Sequence, residues 1–421
     1  MGFKKGYVLF FFVILVLLLF TGCSSEKTGS NNTSNGQKAE KLAQGVTKNE
    51  ILVGFSGPQS GPLAVYDILR KGMDTYFQYI NENGGVNGRK IKLIAYDDQY
   101  QPTKAVQNAK KLVEIDKVFA LLGNVGSTNN LATKNYYVEK GIPVIMPCAA
   151  LKEFVNPPIK NWMGACNMNY EVEAQIMLDY AVKELGAKKI AIAYQNDDYG
   201  KAPYNKIKDI IKDYPEVEIV AEVNYLPADT DFTSQAQKLE QANPDTIFNF
   251  GVMSPIVNLK KAMYKIGFDE PNYIVPSVSG ADTRTFELAG NDVWEGTYSG
   301  SIYVSSDDVN NEKAKLLQER FKISYPNESV TTVVESGWSI AQVFVEALRV
   351  TGDNLTWENF LKSFYTFDKW KGSKYIGISF SEKNHYGVTS MYMTVAKDGK
   401  LQQISDILSY EPETGKISVS K

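Results

Sequence analysis

The feature that most constrains this chain is a strand–helix rhythm that runs once and then restarts. Short apolar runs at 51–55, 91–96, 118–122 and 143–146 alternate with helical periodicity at 65–80, 102–115 and 129–139. After residue 166 the pattern begins again, with helices expected at 171–185, 201–212, 232–241 and 255–266. Strands are expected between them at 190–194, 217–223, 246–250 and 273–275. Strands that alternate with helices over short connections form parallel sheets covered on both faces. Asn83-Gly84-Gly85 and Pro102 punctuate the first run, as a helix stop and a first-turn proline. The tail differs. Helices are expected at 312–323, 332–351 and 357–364, followed by a strand at 390–396 and a Lys397-Asp398-Gly399-Lys400 turn. The fold class is α/β, with two doubly wound parallel-sheet lobes and a tail that returns to complete both. The halves match in rhythm and share no letter-level repeat.

At 421 residues the chain is too long for one hydrophobic core and suits two domains. A net charge of −3 gives no basic footprint, so nucleic acid is excluded as a partner.

The N-terminus carries Lys4 and Lys5, then an unbroken apolar run from 7 to 20, then Thr21-Gly22-Cys23. The run falls short of the about 20 apolar residues that span a bilayer, and reads instead as a secretory signal. Ending on Gly22-Cys23, it resembles the lipobox of bacterial lipoproteins, although Phe20 departs from the usual Leu. The resemblance implies a lipidated Cys23 that anchors the chain to the cell membrane outside the cytoplasm, at the cell surface or in the periplasm. Residues 24–48 are polar and nearly free of large apolar side chains, a flexible tether. Of the remaining cysteines, Cys148 and Cys166 read either as a disulfide or as two buried thiols, with the thiols slightly preferred.

Enzyme signatures are missing. There is no Gly-x-Ser-x-Gly elbow, no His-Glu-x-x-His and no phosphate-binding Gly-x-x-x-x-Gly-Lys loop. Gly54, Gly57 and Gly61 do not have dinucleotide spacing. The single histidine, His385, reads as a surface residue in a polar turn. The pairs Asp97-Asp98, Asp197-Asp198 and Asp307-Asp308 read as solvated turn carboxylates. The chain is therefore expected to be no enzyme, with no cofactor and no metal site.

The stretch from Ile51 to Pro62, with Gly54, Ser56-Gly57-Pro58 and Gly61, resembles the opening strand and loop of the leucine/isoleucine/valine-binding family. Asn83-Gly84-Gly85-Val86-Asn87-Gly88, Asp97-Asp98, Gly123-Asn124-Val125-Gly126-Ser127, Gly141-Ile142-Pro143 and Asp197-Asp198-Tyr199-Gly200 follow in the family's order. The resemblance covers most of the chain from 49 to about 404. It implies the type I periplasmic-binding-protein fold, two lobes joined by three crossings with a small ligand clamped between them. It also implies an extracytoplasmic monomer that delivers its ligand to the permease and ATPase subunits of an ABC importer. The expected organisation is a signal peptide at 1–22, Cys23 and the tether to 48, and two lobes. Lobe one takes 49–166 with 298–375, and lobe two takes 167–297 with 376–421.

Carried over residue by residue, the resemblance implies that Ser127 grips a ligand carboxylate at a helix start. A serine there also serves as a plain helix cap. Tyr66 would be an aromatic wall, or part of its helix's buried face. Tyr199, in a loop, would close over the ligand from the second lobe. Cys148, Ala149 and Ala150 would offer backbone groups, although Ala150 lacks the family's hydroxyl. Met253 stands near a family tyrosine, and Ser277 stands where amino-acid binders place an acid against the ammonium. Asp197, Asp198 and Asp282 are the nearest substitutes and fall in polar loops expected to be exposed. Branched-chain amino acids are the first ligand class. Aromatic or short-chain carboxylates and small amides come next, and a ligand-sensing lipoprotein is the alternative role.

Overall fold

The computed structural model describes residues 42–304 and 312–420; the expected signal peptide, Cys23, most of the tether and Asp307-Asp308 lie outside them. The first sheet holds β1 (Glu50–Gly57), β2 (Lys90–Asp97), β3 (Ala120–Leu122), β4 (Val144–Ile145) and β5 (Trp162–Met163). Their order is β2-β1-β3-β4-β5, and every pair is parallel. Ile51, Val53 and Phe55 on β1 and the whole of β3 are buried, as strands covered on both faces require.

The second sheet starts with β6 (Lys189–Gln195), β7 (Glu218–Tyr225), β8 (Thr246–Phe250), β9 (Asn272–Val275) and β10 (Thr297–Ser301). β11 (Ile378–Ser381) and β12 (Asn384–Val388) form a separate hairpin. The chain then closes with β13 (Ser390–Lys397), β14 (Lys400–Gln403), β15 (Ile407–Glu411) and β16 (Lys416–Ser420). The order β7-β6-β8-β9-β10-β13-β15-β16, with β14 on β13, joins a parallel half to an antiparallel tail. Asp398 and Gly399, with φ of 52° and 71°, make the tight turn between β13 and β14.

Three crossings join the lobes, between Met163 and Tyr170, just after Ser301, and between Val388 and Ser390. The expected boundaries shift at the second and third. β10 pairs with β9 and belongs to lobe two, so residues 298–301 do not join lobe one. The hairpin β11–β12 stays with lobe one, because the Gly164 N–H donates to the His385 carbonyl at 3.0 Å and Phe364 packs edge-on to Phe380. That docking also corrects the reading of His385. It is buried, its Nδ1 lies 2.9 Å from the Trp162 carbonyl, and its Nε2 lies 3.0 Å from the Tyr365 hydroxyl.

Lobe one closes over two helices, Asp67–Glu82 and Thr332–Thr351, that touch backbone to backbone. A Cβ on Gly72 would run into the Val334 carbonyl, and one on Gly337 into the Leu69 carbonyl. Only glycine permits that approach. Trp338 then stacks edge-on against Tyr76 at 4.7 Å, which closes the core on that side.

Candidate functional site

The cavity between the lobes lies beyond the C-terminal ends of β1, β3, β6, β8 and β9, where the loops of an open α/β sheet converge. About 730 Å³ of non-atom space lies within it, the open solvent at its mouth included. Five tyrosines (Tyr66, Tyr100, Tyr170, Tyr199 and Tyr303) and a set of aliphatic side chains make most of its wall.

From lobe one comes the loop after β3. Gly123 and Gly126 hold φ of 67° and 103°, and a Cβ on Gly126 would press against the Tyr100 ring at 2.9 Å. Asn124 Oδ1 accepts the Ser56 N–H at 3.0 Å, and Asn130 Nδ2 donates to the carbonyls of Asn124 and Gly126. Behind them Asp98 accepts the Ser56 hydroxyl and the Tyr100 N–H. Asp98 is not a solvated turn carboxylate; it is fully buried, and burial pushes its pKa up to about 6. The loop is thereby fixed so that helix Ser127–Lys140 points its start into the cavity. Ser127 is 1% exposed, and its hydroxyl has no hydrogen-bond partner. A helix start with unpaired N–H groups and an unsatisfied buried hydroxyl is built to receive an anion.

Cys148 and Cys166 form a disulfide, Cα to Cα 5.0 Å, and both line the cavity. The preferred reading as thiols fails because tertiary pairing sets the two segments side by side. Val125 bridges to Cys148, and the Cys166 N–H donates to the Pro147 carbonyl at 3.1 Å. Ala149 and Ala150 are buried behind that wall and do not line the cavity. The Ala150 carbonyl instead accepts the Tyr170 N–H and Asn169 Nδ2, at the first crossing.

Tyr66 belongs both to the buried face of its turn and to the cavity wall. Its hydroxyl accepts the Met253 N–H from lobe two at 3.2 Å, and burial pushes its pKa up to about 12. Met253 itself is buried and does not line the cavity; its neighbour Val252 does.

Lobe two contributes Tyr199, which stands not in a loop but in the first turn of helix Asp198–Ile210. Asp197 caps that helix by accepting the N–H groups of Tyr199 and Gly200 at 3.0 and 3.1 Å. Tyr199 donates to the Gly251 carbonyl at 3.3 Å and packs edge-on to Tyr170 at 4.8 Å. Burial holds its phenol well above the ordinary range, so it stays protonated.

Ser277 lines the cavity with an unpartnered hydroxyl, while its N–H donates to Glu173 Oε1 at 2.7 Å. Glu173, from helix Tyr170–Lys183, is buried, and burial pushes its pKa up to about 7. Asp282, expected in an exposed loop, is buried and lines the cavity. Arg284 clasps both of its oxygens, Nε to Oδ1 and Nη2 to Oδ2 at 3.0 Å each.

Sequence reasoning thus missed Tyr100, Tyr170, Tyr303, Glu173 and the placement of Asp282. One signal was available. Tyr170, Ala174, Met177 and Ala181 form the buried stripe of their helix, and Glu173 sits on it as an acid among apolar residues. Among the described residues no group of His, Cys, Asp or Glu is arranged to hold a metal ion, and no helix is long and apolar enough to cross a membrane.

Residues 50–400 match the family described as periplasmic binding protein. A Leu/Ile/Val-binding protein homolog 3 from Brucella melitensis is 23% identical over 311 residues, covering 72% of this chain and 81% of that one. A branched-chain amino acid ABC transporter protein from Thermus thermophilus, solved with bound valine, is similar at TM-score 0.79 and 19% identity. That similarity covers 87% of this chain and 98% of the other. A fatty acid ABC transporter substrate-binding protein from Thermomonospora curvata is similar at the same TM-score and identity, over 89% and 96% of the two chains.

Proposed function

The chain belongs to the periplasmic binding protein family, and from that premise we propose that it captures a small carboxylate-bearing solute outside the cytoplasmic membrane. It passes that solute to the permease and ATPase of an ABC importer. Lipid on Cys23 keeps it at the membrane surface, and it acts as a monomer. The ligand's carboxylate sits against the Ser127 hydroxyl and the start of helix Ser127–Lys140. Tyr66 and Tyr199 close on the ligand's apolar body from the two lobes, with Cys148 and Ser277 completing the walls. The observation that carries this reading is the buried, partnerless Ser127 hydroxyl at a helix start inside an inter-lobe cavity walled by tyrosines.

The chemistry required is binding and release, and the fold supplies both. Each lobe has its own sheet, and among the described residues three segments cross between them, so rotation about those segments opens and closes the cavity while the lobes stay rigid. Tyrosines suit the walls because each gives a large rigid face and a hydroxyl that bonds across the gap, as Tyr66 does to Met253.

Native mass spectrometry of protein isolated from its own cells should show one bound small molecule, and removing it should raise the radius of gyration in solution scattering. A cavity that carries no small molecule from any growth condition, with an unchanged radius, would sink the transport reading. Replacing Cys23 by Ser should abolish labelling with tagged palmitate.

A further inference from the structure

Resting on the solute-binding reading above, we infer that the ligand is an apolar monocarboxylate without an α-ammonium, because the cavity's one acid is already neutralised by Arg284 and its free polar atoms are hydroxyls and an amide N–H. The Asp282 carboxylate receives three N–H donors from Arg284: the backbone N–H at 2.9 Å, and Nε and Nη2 at 3.0 Å. Its side chain is 2% exposed and that of Arg284 is 16% exposed, so the pair presents to the cavity a carboxylate with its charge matched. An ammonium placed beside Asp282 meets a carboxylate whose charge Arg284 already matches.

Two further buried acids stand near the site, Glu335, paired with Lys374 at 3.5 Å, and Glu173. Glu173 does not line the cavity; it stands behind Ser277, with one oxygen held by the Ser277 N–H. Three of the five wall tyrosines are already engaged with other rings. Tyr170 and Tyr199 pack edge-on to each other, and Tyr303 stacks on Tyr375 at 5.2 Å.

Three buried side-chain atoms in the wall, the Ser127 hydroxyl, the Ser277 hydroxyl and Asn167 Nδ2, have no hydrogen-bond partner among the described residues. Each can donate to a carboxylate, and none of them supplies the negative counter-charge that a buried ammonium needs. A buried charge left without a counter-charge is strongly unfavourable. The remaining wall, with Leu69, Val125, Val252, Val278, Ile302 and Val333, suits a branched aliphatic or aromatic body.

Calorimetry on the full-length protein, stripped of bound solute, tests this with matched probes. These are 4-methylpentanoate against leucine, 3-phenylpropanoate against phenylalanine, and glycine betaine. At least one acid should bind ten-fold or more tightly than its amino counterpart. Arg284→Gln, which leaves Asp282 unpaired, should shift the leucine-to-4-methylpentanoate preference ten-fold or more toward leucine, a ratio that loss of structure alone does not move. Leucine or phenylalanine binding as tightly as its acid, or tight glycine betaine binding, overturns the inference and leaves the solute-binding reading standing. If neither acids nor amino acids bind, the inference falls, and the solute-binding reading is decided by the co-purified molecule alone.

Discussion

The two walls of the cavity are built on different principles. Lobe one braces its wall with covalent and backbone contacts: the Cys148–Cys166 disulfide, the glycine crossing of two helices, and a loop whose carbonyls and side chains are tied down around Asn124 and Asn130. None of its charged side chains lines the cavity; of its buried acids, Asp98 is turned inward to hold that loop and Glu335 is paired with Lys374 at 3.5 Å. Lobe two carries a charged residue in the wall itself, Asp282, with Glu173 just behind. It also buries Lys260 elsewhere, whose ammonium burial pulls down to about 7. On the proposed function, lobe one serves as a preformed half-site with its donors in place, and lobe two as the half whose charges decide which ligands fit.

The largest effect should come from unbracing lobe one. The disulfide closes a loop between residues 18 apart, for which chain entropy gives about 3 kcal/mol. Replacing Cys148 and Cys166 together by Ser should lower the denaturant midpoint accordingly and weaken ligand binding, since both sulfurs line the cavity. An unchanged midpoint would mean that the backbone ties alone hold the wall.

Ser127→Ala separates affinity from stability. Among the described residues the hydroxyl has no hydrogen-bond partner, so its removal should change the melting temperature of the ligand-free protein little. A hydrogen bond to a charged group is worth roughly 1.5–3 kcal/mol, so carboxylate affinity should fall about 10- to 150-fold. A drop in ligand-free stability with unchanged affinity would make Ser127 a cap and nothing more.

How far the sequence reveals this molecule also differs between elements. Helix Thr332–Thr351 has the bounds its periodicity predicts, because both ends are marked. The Thr331 side chain accepts the Val334 N–H, and Gly352 follows with φ of 72°. By contrast β5 is two residues long, and its strand character comes only from pairing with β4. β10, β11 and β12 were likewise invisible, being short and defined by partners distant in sequence. In the cavity, the loop-to-helix junctions at Ser127 and Asp197 are legible because caps and glycines mark them. Tyr100, Tyr303 and Asp282 are not, because only tertiary folding brings them to one place. The reading of Asp282 as exposed missed the short-range pair with Arg284, two residues along, that makes its burial possible.

The smallest expected effect isolates lobe two's hidden acid. Glu173 has a folded pKa of about 7, raised by burial, with Ser277 as its hydrogen-bonding partner. The folded state therefore keeps a proton that the unfolded chain releases near pH 4.3. Stability from this group is full below that value and falls as pH rises toward 7, then stays level. Glu173→Gln keeps a carbonyl oxygen for the Ser277 N–H and removes the titration. The variant should match the wild type near pH 4.5 and melt a few degrees higher at pH 8. Asp98 titrates in an overlapping range, with a folded pKa of about 6, but it is present in both proteins and cancels in the difference. Lys260 acts with the opposite sign and above pH 7, because its depressed pKa makes the folded state lose a proton first. Parallel melting curves from pH 4.5 to 8 would show that Glu173 is solvated in the folded protein, and lobe two would then lose its claim to be the electrostatically tuned half.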